Sequence, residues 1–318
     1  MVKVLITGGA GFIGSNLSDF LTKKKYKVTI IDNLSTGNKR NIKNKKINFI
    51  YSNINNINKL KKIGNFDAIV HLAAMAEILI TKKDEKKYFE SNIEGLQQVL
   101  NFASQKKIKK FIFASSASIY GDTKNIKVKE NFNANPKHYY AYTKYIGEKM
   151  IEKYCKNNEI KFSILRFFNV YGPNSTAVVA RFISQHLQNK PITIYGNGLQ
   201  KRDFIHVEDL NKIILKLIKT NKGNNQTFNL GSGTAKSIIE LKNIIAKNHK
   251  HIFLIKRSDD IEISIANISK IKKILNWKPS ISFQKGVNDM IKVDRVKLKN
   301  MYLPTIESQK KLLKKFNK

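Results

Sequence analysis

The stretch VLITGGAGFIG, residues 4–14, decides how the rest of the chain is read. Val4 to Thr7 form a short apolar run of the kind that fills a strand buried on both faces. Gly8, Gly9, Gly11 and Gly14 then place four glycines within seven residues. Three readings compete: the start of a secretion signal, an ordinary tight turn, or a backbone cradle for phosphate. The signal fails, because glycines interrupt the apolar stretch it needs and no cleavage site follows. The turn and the cradle differ only in what lies further along.

Apolar runs predict buried strands at Val2–Thr7, Val28–Ile31, Phe49–Tyr51, Ala68–Leu72, Lys110–Ser115 and Ser163–Phe167. Amphipathic stretches between them predict helices at Phe12–Lys24, Asn56–Ile63, Lys83–Gln105 and His138–Asn157. Strand, helix, strand at this spacing predicts an α/β fold with a doubly wound parallel sheet and right-handed crossovers. Beyond residue 170 the alternation loosens, and glycine-rich loops at 196–198 and 231–233 predict a smaller mixed second lobe. The division is a nucleotide-binding domain over residues 1–168, with returning segments from about 203–235, and a substrate lobe largely over 169–318. No Gly/Ser- or Pro-rich linker separates them, so the two are interleaved. The lysine-rich stretch after Asn300, with Leu312, Leu313 and Phe316, reads as a solvated or loosely docked helix.

Composition narrows the function. The longest weakly polar run, Ala68 to Ile80, contains His71 and Glu77 and is too short to span a bilayer. A single cysteine, Cys155, excludes an intramolecular disulfide and fits a reducing compartment, so the cytoplasm is expected. The net charge of +36 points at face value to nucleic acid or an anionic surface. Yet the basic residues spread along the whole chain, and only six of the 59 are arginine. Nucleic-acid readers concentrate charge and use arginine forks, so neither a nucleic-acid nor a membrane partner is expected. Where lysine is the default cation, an arginine marks a place that needs a planar fork; Arg166, Arg202 and Arg257 sit inside motifs.

Gly8, Gly11 and Gly14 close the first strand and open the first helix, which gives a tight turn and close backbone approach to a pyrophosphate. The second strand ends in Asp32, eighteen residues after Gly14. A carboxylate there accepts both hydroxyls of an adenosine ribose and repels a 2′-phosphate, which predicts NAD in a Rossmann-type site. Taken alone, Asp32 is equally a turn-starting aspartate. Further on, FASSASIYGD (113–122) ends a predicted strand, and Tyr140 and Lys144 stand four apart on a predicted helix, hence on one face. A tyrosine is a poor base at neutral pH, its ordinary pKa being about 10. A lysine ammonium one turn away and a positive nicotinamide ring favour the phenolate. A serine hydroxyl can then hold the substrate oxygen while Tyr140 moves the proton.

TGGAGFIG, DNLSTG, HLAA, SSASIYG, Tyr140-x-x-x-Lys144, RFFNVYGP, RDFIHVEDL and the late KRSDD and NISKIKKILNWKP occur in the order seen in extended short-chain dehydrogenases/reductases. Over residues 2 to about 280 the chain resembles the nucleotide-sugar epimerases of that family, with UDP-glucose/UDP-galactose 4-epimerases the type case. The resemblance implies an NAD-dependent isomerase in which Tyr140 is the acid/base, Ser116 its hydrogen-bonding partner, and Lys144 the residue that tunes Tyr140 and holds the nicotinamide ribose. It implies cofactor contacts from Gly8, Gly11, Phe12, Ile13, Gly14, Asp32, Asn33, Ile54, Leu72, Ala73, Ala74 and Phe168, with Asn92 supporting the site from a neighbouring helix. Asn53 stands where the family usually has an aspartate facing adenine; its amide oxygen can still accept from the adenine amino group.

The residues between Ser116 and Tyr120 separate activities within the family. Dehydratases carry an Asp-Glu pair there and UDP-glucuronate decarboxylases a glutamate, whereas this chain has Ala117 and Ser118. Epimerisation needs neither carboxylate. The reaction is therefore read as 4-epimerisation of a UDP-sugar through a transient 4-keto intermediate, and the resemblance implies that Arg202 and Arg257 clamp the diphosphate by forks that lysine cannot form. The alternative for both arginines is an ordinary surface cation. Asn169 is expected on the same diphosphate and Tyr195 near the uracil, while Arg166 is read as structural. Ser264, seven residues after Arg257, is small where a bulky aromatic closes the sugar pocket, which favours acceptance of N-acetylated sugars. A homodimer through the helices around 83–105 and 138–157 is implied by the family. Two other readings stay open: a relative acting on a different sugar nucleotide or carbon, and a non-enzymatic RNA-binding relative. RNA-binding relatives typically lose the tyrosine–lysine pair or the glycine motif, and both are present here.

Overall fold

The structure is a computed structural model that describes residues 1–57, 64–76, 84–123, 126–258 and 260–316. The strands of the first half are β1 (Lys3–Thr7), β2 (Lys27–Asp32), β3 (Asn48–Tyr51), β4 (Ala68–His71), β5 (Lys110–Ser116), β6 (Lys127–Val128) and β7 (Lys161–Phe167). Those of the second half are β8 (Asn169–Tyr171), β9 (Ile192–Tyr195), β10 (Lys201–His206), β11 (Gln226–Leu230), β12 (Ala235–Ser237), β13 (His251–Leu254) and β14 (Ile263–Ala266). The helices are α1 (Phe12–Lys23), α2 (Glu85–Phe89), α3 (Gly95–Gln105), α4 (Tyr139–Asn157), α5 (Val178–Leu187), α6 (Val207–Lys219), α7 (Ile238–Ala246), α8 (Ser269–Leu275), α9 (Phe283–Lys299) and α10 (Ile306–Phe316).

Seven strands form the central sheet in the order β11-β7-β5-β4-β1-β2-β3. Every neighbouring pair in it is parallel. The alternation of side chains explains why these strands read as unbroken apolar runs. Val4, Ile6, Val28, Ile30, Ala68, Val70 and Ile112 pack on one face with Leu17 and Leu21 of α1 and Leu210 and Ile214 of α6. Leu5, Ile31, Ile69, Phe111, Phe113 and Ile164 pack on the other with Leu96 and Leu100 of α3 and Ile151 and Cys155 of α4. Both faces are covered, so no polar alternation is left to see.

The six predicted strands appear within a residue or two of their expected ends. Three differences are physical. The seventh strand, β11, returns from late in the chain to pair with β7 and gave no apolar run of its own. The helix expected over 83–105 is divided by a π-helical turn at Glu90–Glu94 between α2 and α3, a wider winding that leaves the sequence pattern continuous. Of the helix expected over 56–63, residues 58–63 lie outside the described residues, as does Lys83.

The second lobe carries a sheet in the order β12-β10-β14-β6, with β8 alongside β10, and a two-stranded β13-β9 pair. Its own core gathers Val179, Phe182 and Ile183 of α5, Ile192 and Ile194 of β9, Leu241 of α7 and Val287 and Met290 of α9. Asp203 ties the lobes: its buried carboxylate accepts from the backbone of Ser232, Gly233 and Ala266 at 2.6, 2.9 and 3.1 Å. The chain order reverses between β1 and β4, whose carboxyl ends open a crevice there.

Candidate active site

That crevice is a cavity of about 780 Å³, lined by the loop after β1, the start of α1 and the ends of β2 and β4. Gly8 takes φ +70, and a Cβ on it would lie 2.7 Å from the Ala73 nitrogen. A Cβ on Gly14 would lie 2.1 Å from the Gly8 oxygen, so the helix meets the turn too closely for any side chain. Gly11 caps α1 without a side-chain hydrogen bond, which leaves the helix-opening N–H groups without a side-chain acceptor. This is a cradle shaped for an anion. Asp32 starts the turn that one of its two readings gave it, and its carboxylate also stands on the cavity wall. Its Oδ1 accepts from the Leu34 N–H at 2.7 Å, starting the turn, and its Oδ2 accepts from the Ala10 N–H at 2.9 Å. Held by two backbone donors, the carboxylate lines the cavity.

Of the expected cofactor residues, Phe12, Ile13, Asn33, Asn53, Ile54, Leu72, Ala73, Ala74, Tyr140, Lys144 and Phe168 line this cavity with the glycines and Asp32. Asn53 has its Oδ1 engaged by the Asn55 N–H at 3.0 Å. Asn92 stands behind the wall: its side chain exchanges two hydrogen bonds with the Met75 backbone, at 2.8 and 3.0 Å, and donates to Thr143 Oγ1 at 3.0 Å. It joins the loop after β4 to the helix that bears Tyr140. His71, buried at the end of β4, is held by Thr7 Oγ1 at 2.8 Å and pushed down to about 3 by burial and then by the Lys144 charge.

Ser116 ends β5, and Tyr140 is the second residue of α4, two after the N-cap His138, whose Nδ1 accepts from the Ala141 N–H. The Tyr140 hydroxyl hydrogen-bonds the Ser116 side chain, and its ring lies parallel to His138, 6.0 Å away. Lys144 follows one turn later and donates to the Ala114 carbonyl at 2.8 Å. Burial pushes Tyr140 up to about 12, with the Ser116 hydrogen bond pulling the other way. The lowering expected from Lys144 is not what the protein alone produces. Tyrosine and lysine share one dry pocket, and burial pushes Lys144 itself down to about 7, with Glu148 opposing. Any phenolate then has to be drawn out by what binds in the crevice.

Beneath this pair lies a buried polar network. Glu148, one turn after Lys144 on α4, receives both arms of Arg166: Nε to Oε1 at 3.0 Å and Nη2 to Oε2 at 2.7 Å. Ser115 also donates to Glu148, and Arg166 Nη1 reaches the Tyr120 hydroxyl at 2.8 Å. Arg166 is thus a structural arginine, as read from sequence.

A second cavity of about 650 Å³ opens toward the other lobe, lined by the expected Ser116, Asn169, Tyr195, Arg202, Arg257 and Ser264. It shares Ala76, Ser116, Tyr140, Phe167 and Phe168 with the first, so the two cavities meet at the serine and tyrosine. Arg202 is engaged here, pairing with Asp260 at 2.6 Å. Sequence reasoning missed Arg181 on α5, which lines this cavity with its guanidinium 5.1 Å over the Tyr195 ring. The signal was available: Arg181 interrupts an apolar helical stretch in a chain where arginine is rare. Also missed were Glu148 and His138. Among the described residues no group of three His, Cys, Asp or Glu could hold a metal, and no helix is long and apolar enough to cross a membrane.

Residues 4–231 match the model of the NAD dependent epimerase/dehydratase family. The chain is 34% identical over 307 residues to an uncharacterised UDP-glucose epimerase of Bacillus subtilis, covering 91% of this chain and 97% of that protein. A solved UDP-glucose 4-epimerase of Thermotoga maritima with UDP-glucose superposes with a TM-score of 0.88 at 30% identity, covering 93% of this chain and 100% of that one. A UDP-glucuronic acid 4-epimerase of Bacillus cereus in complex with UDP-glucuronic acid and NAD gives 0.86 at 32% identity, covering 93% and 99%.

Proposed function

We propose, from the premise that the chain belongs to the NAD dependent epimerase/dehydratase family, that it inverts C4 of a UDP-linked sugar. The observation that carries this reading is the meeting of the two cavities at Ser116 and Tyr140. One cavity has the shape and donor set for a dinucleotide, the other has cationic walls for a nucleotide sugar, and of the five residues common to both only Ser116 and Tyr140 carry a side-chain group that can hold or move a proton.

NAD, once bound, supplies a hydride acceptor that is regenerated in the same cycle. Gly8, Gly11 and the start of α1 would hold its pyrophosphate, Asp32 its adenosine ribose and Lys144 its nicotinamide ribose. Ser116 orients the sugar 4-oxygen. Tyr140 removes the 4-hydroxyl proton and returns it after the sugar has presented its other face. Because Tyr140 starts near 12 in the protein alone, a bound cation beside it lowers the cost of the phenolate. Arg257, Arg202 and Asn169 would grip the diphosphate; for Arg202 this means exchanging Asp260 for phosphate. Elimination and decarboxylation are disfavoured by the same geometry. Ala117 has no acid, and the Ser118 hydroxyl donates to Ser116 Oγ at 2.9 Å, so the extra carboxylate has no counterpart.

Incubation with UDP-glucose, UDP-glucuronate, UDP-N-acetylglucosamine and their galacto epimers, followed by NMR, is expected to show interconversion of at least one pair. No interconversion of any pair would sink the reading. The place of Ser264 on the cavity wall favours the N-acetylated pair among those accepted. We further assign a homodimer, because Phe89 on α2 and Tyr142 and Ile146 on α4 expose apolar area on adjacent helices that a second copy would cover. Light scattering is expected to report twice the chain mass; a monomer at micromolar concentration rejects the assignment.

A further inference from the structure

The helix read as solvated or loosely docked keeps a solvated lysine face but is anchored through two buried side chains. In α10, Leu313 is 1% exposed and Gln309 6% exposed, and Leu312 lines the substrate cavity. The Tyr195 hydroxyl donates to Gln309 Oε1 at 3.0 Å, and Gln309 Nε2 donates in turn to the Pro304 carbonyl at 2.9 Å. Tyr195 is itself covered on the ring face by Arg181, whose buried Nε has no hydrogen-bond partner among the described residues. The chain leading into the helix is pinned from α5: Ser184 Oγ donates to the Leu298 carbonyl at 2.6 Å and Gln188 Nε2 to the Met301 carbonyl at 2.8 Å.

A helix of this length is marginal on its own, and Lys310, Lys311, Lys314 and Lys315 repel one another along its exposed side. Its order therefore comes from docking. What it docks on is Tyr195, which Arg181 backs from the ring face, and the wall of the cavity. We propose that α10 is the outer wall of the substrate site, in which Gln309 positions Tyr195 and Leu312 supplies apolar contact, so that it sets the grip on the nucleotide without touching the chemistry. This rests on the nucleotide-sugar reading above.

Two measurements test it. In the first, hydrogen exchange of the free protein is expected to show residues 306–316 protected. Exchange at the rate of an unstructured chain overturns the wall whatever the ligand. In the second, UDP is titrated calorimetrically into the parent, Leu312→Glu, Gln309→Ala, Gln309→Glu and a variant lacking residues 303–318. Leu312→Glu, Gln309→Ala and the deletion are expected to weaken UDP by about tenfold. Gln309→Glu keeps the acceptor for Tyr195 and is expected to restore most of that. Turnover at saturating sugar nucleotide is expected within about twofold of the parent, and NAD content unchanged, because the loss is uniform binding. Unchanged UDP affinity in both Leu312→Glu and the deletion overturns the proposal. If the parent itself does not bind UDP, the nucleotide reading falls, and the exchange measurement alone then decides whether α10 is a wall.

Discussion

Tyr140→Phe is expected to lower kcat by about 10²–10⁴-fold while leaving NAD in place. The substitution removes one oxygen and keeps the ring, so the parallel contact with His138 and the wall shared by the two cavities survive. What disappears is the hydroxyl that hydrogen-bonds Ser116 and that, in the proposed reaction, takes the proton of the sugar 4-hydroxyl. Ser116 cannot substitute, since its oxygen already accepts from the Ser118 hydroxyl at 2.9 Å and from the Ser118 N–H at 3.2 Å, which leaves it little capacity to take a proton. The effect therefore falls on kcat and kcat/KM together, the pattern of an interaction made in the transition state. Saturating turnover by NMR and released NAD measured after denaturation separate the two claims. Turnover within tenfold of the parent would overturn the assignment of Tyr140, and loss of NAD would mean that the phenol holds the cofactor rather than the proton.

The parts of the fold that were legible are those whose physics is local. A strand covered on both faces must be apolar through its middle, and Val4–Ile6, Ala68–Val70 and Phe111–Ala114 met that condition. Gly8 and Gly14 were readable because a close backbone approach admits no other residue. Tyr140 and Lys144 share a helix face by spacing alone. The same spacing continues to Glu148, and the stripe 140, 144, 148 could have been read as one unit. It was missed because an acid on a lysine-rich helix passes for a surface partner, and only burial shows otherwise. The return of β11 was out of reach for a different reason: QTFNL is short and half polar, and its partner β7 lies some sixty residues earlier. Position α10 was likewise decided by non-local contacts, through Gln309 and Leu313, that its lysines conceal. Arg202 shows the limit of motif reading. Its place on the cavity wall followed from the sequence, but its pairing with Asp260 did not.

Glu148→Ala is expected to destabilise the protein by about 3–5 kcal/mol, the cost of leaving a buried charge uncompensated. Arg166 loses both arms of its fork, and a guanidinium buried in a network with Tyr120 has little water to replace them. The same change reaches the active centre. Lys144 is held near 7 by burial with Glu148 pulling upward, so removing Glu148 lowers it further. The ammonium exists below the folded pKa. A lower value means that it is lost at a lower pH, and the alkaline limb of kcat/KM moves toward acid. Stability shifts in step. Between the folded pKa and the unfolded value near 10.5 the unfolded chain binds the extra proton, so this lysine makes stability rise with pH across that window. In the variant the window opens at lower pH. Urea unfolding and a pH–rate profile of the same preparation read both effects. A merely structural role would move the unfolding midpoint and leave the profile where it was. The double variant Glu148→Leu, Arg166→Met completes the test: removing both charges leaves none unpaired, so it is expected to regain most of the lost stability. It lacks the counter-charge to Lys144 all the same, and its alkaline limb is expected to stay displaced. An unchanged midpoint in Glu148→Ala, or a double variant no more stable than the single, would show that the pair does not carry the energy its burial implies.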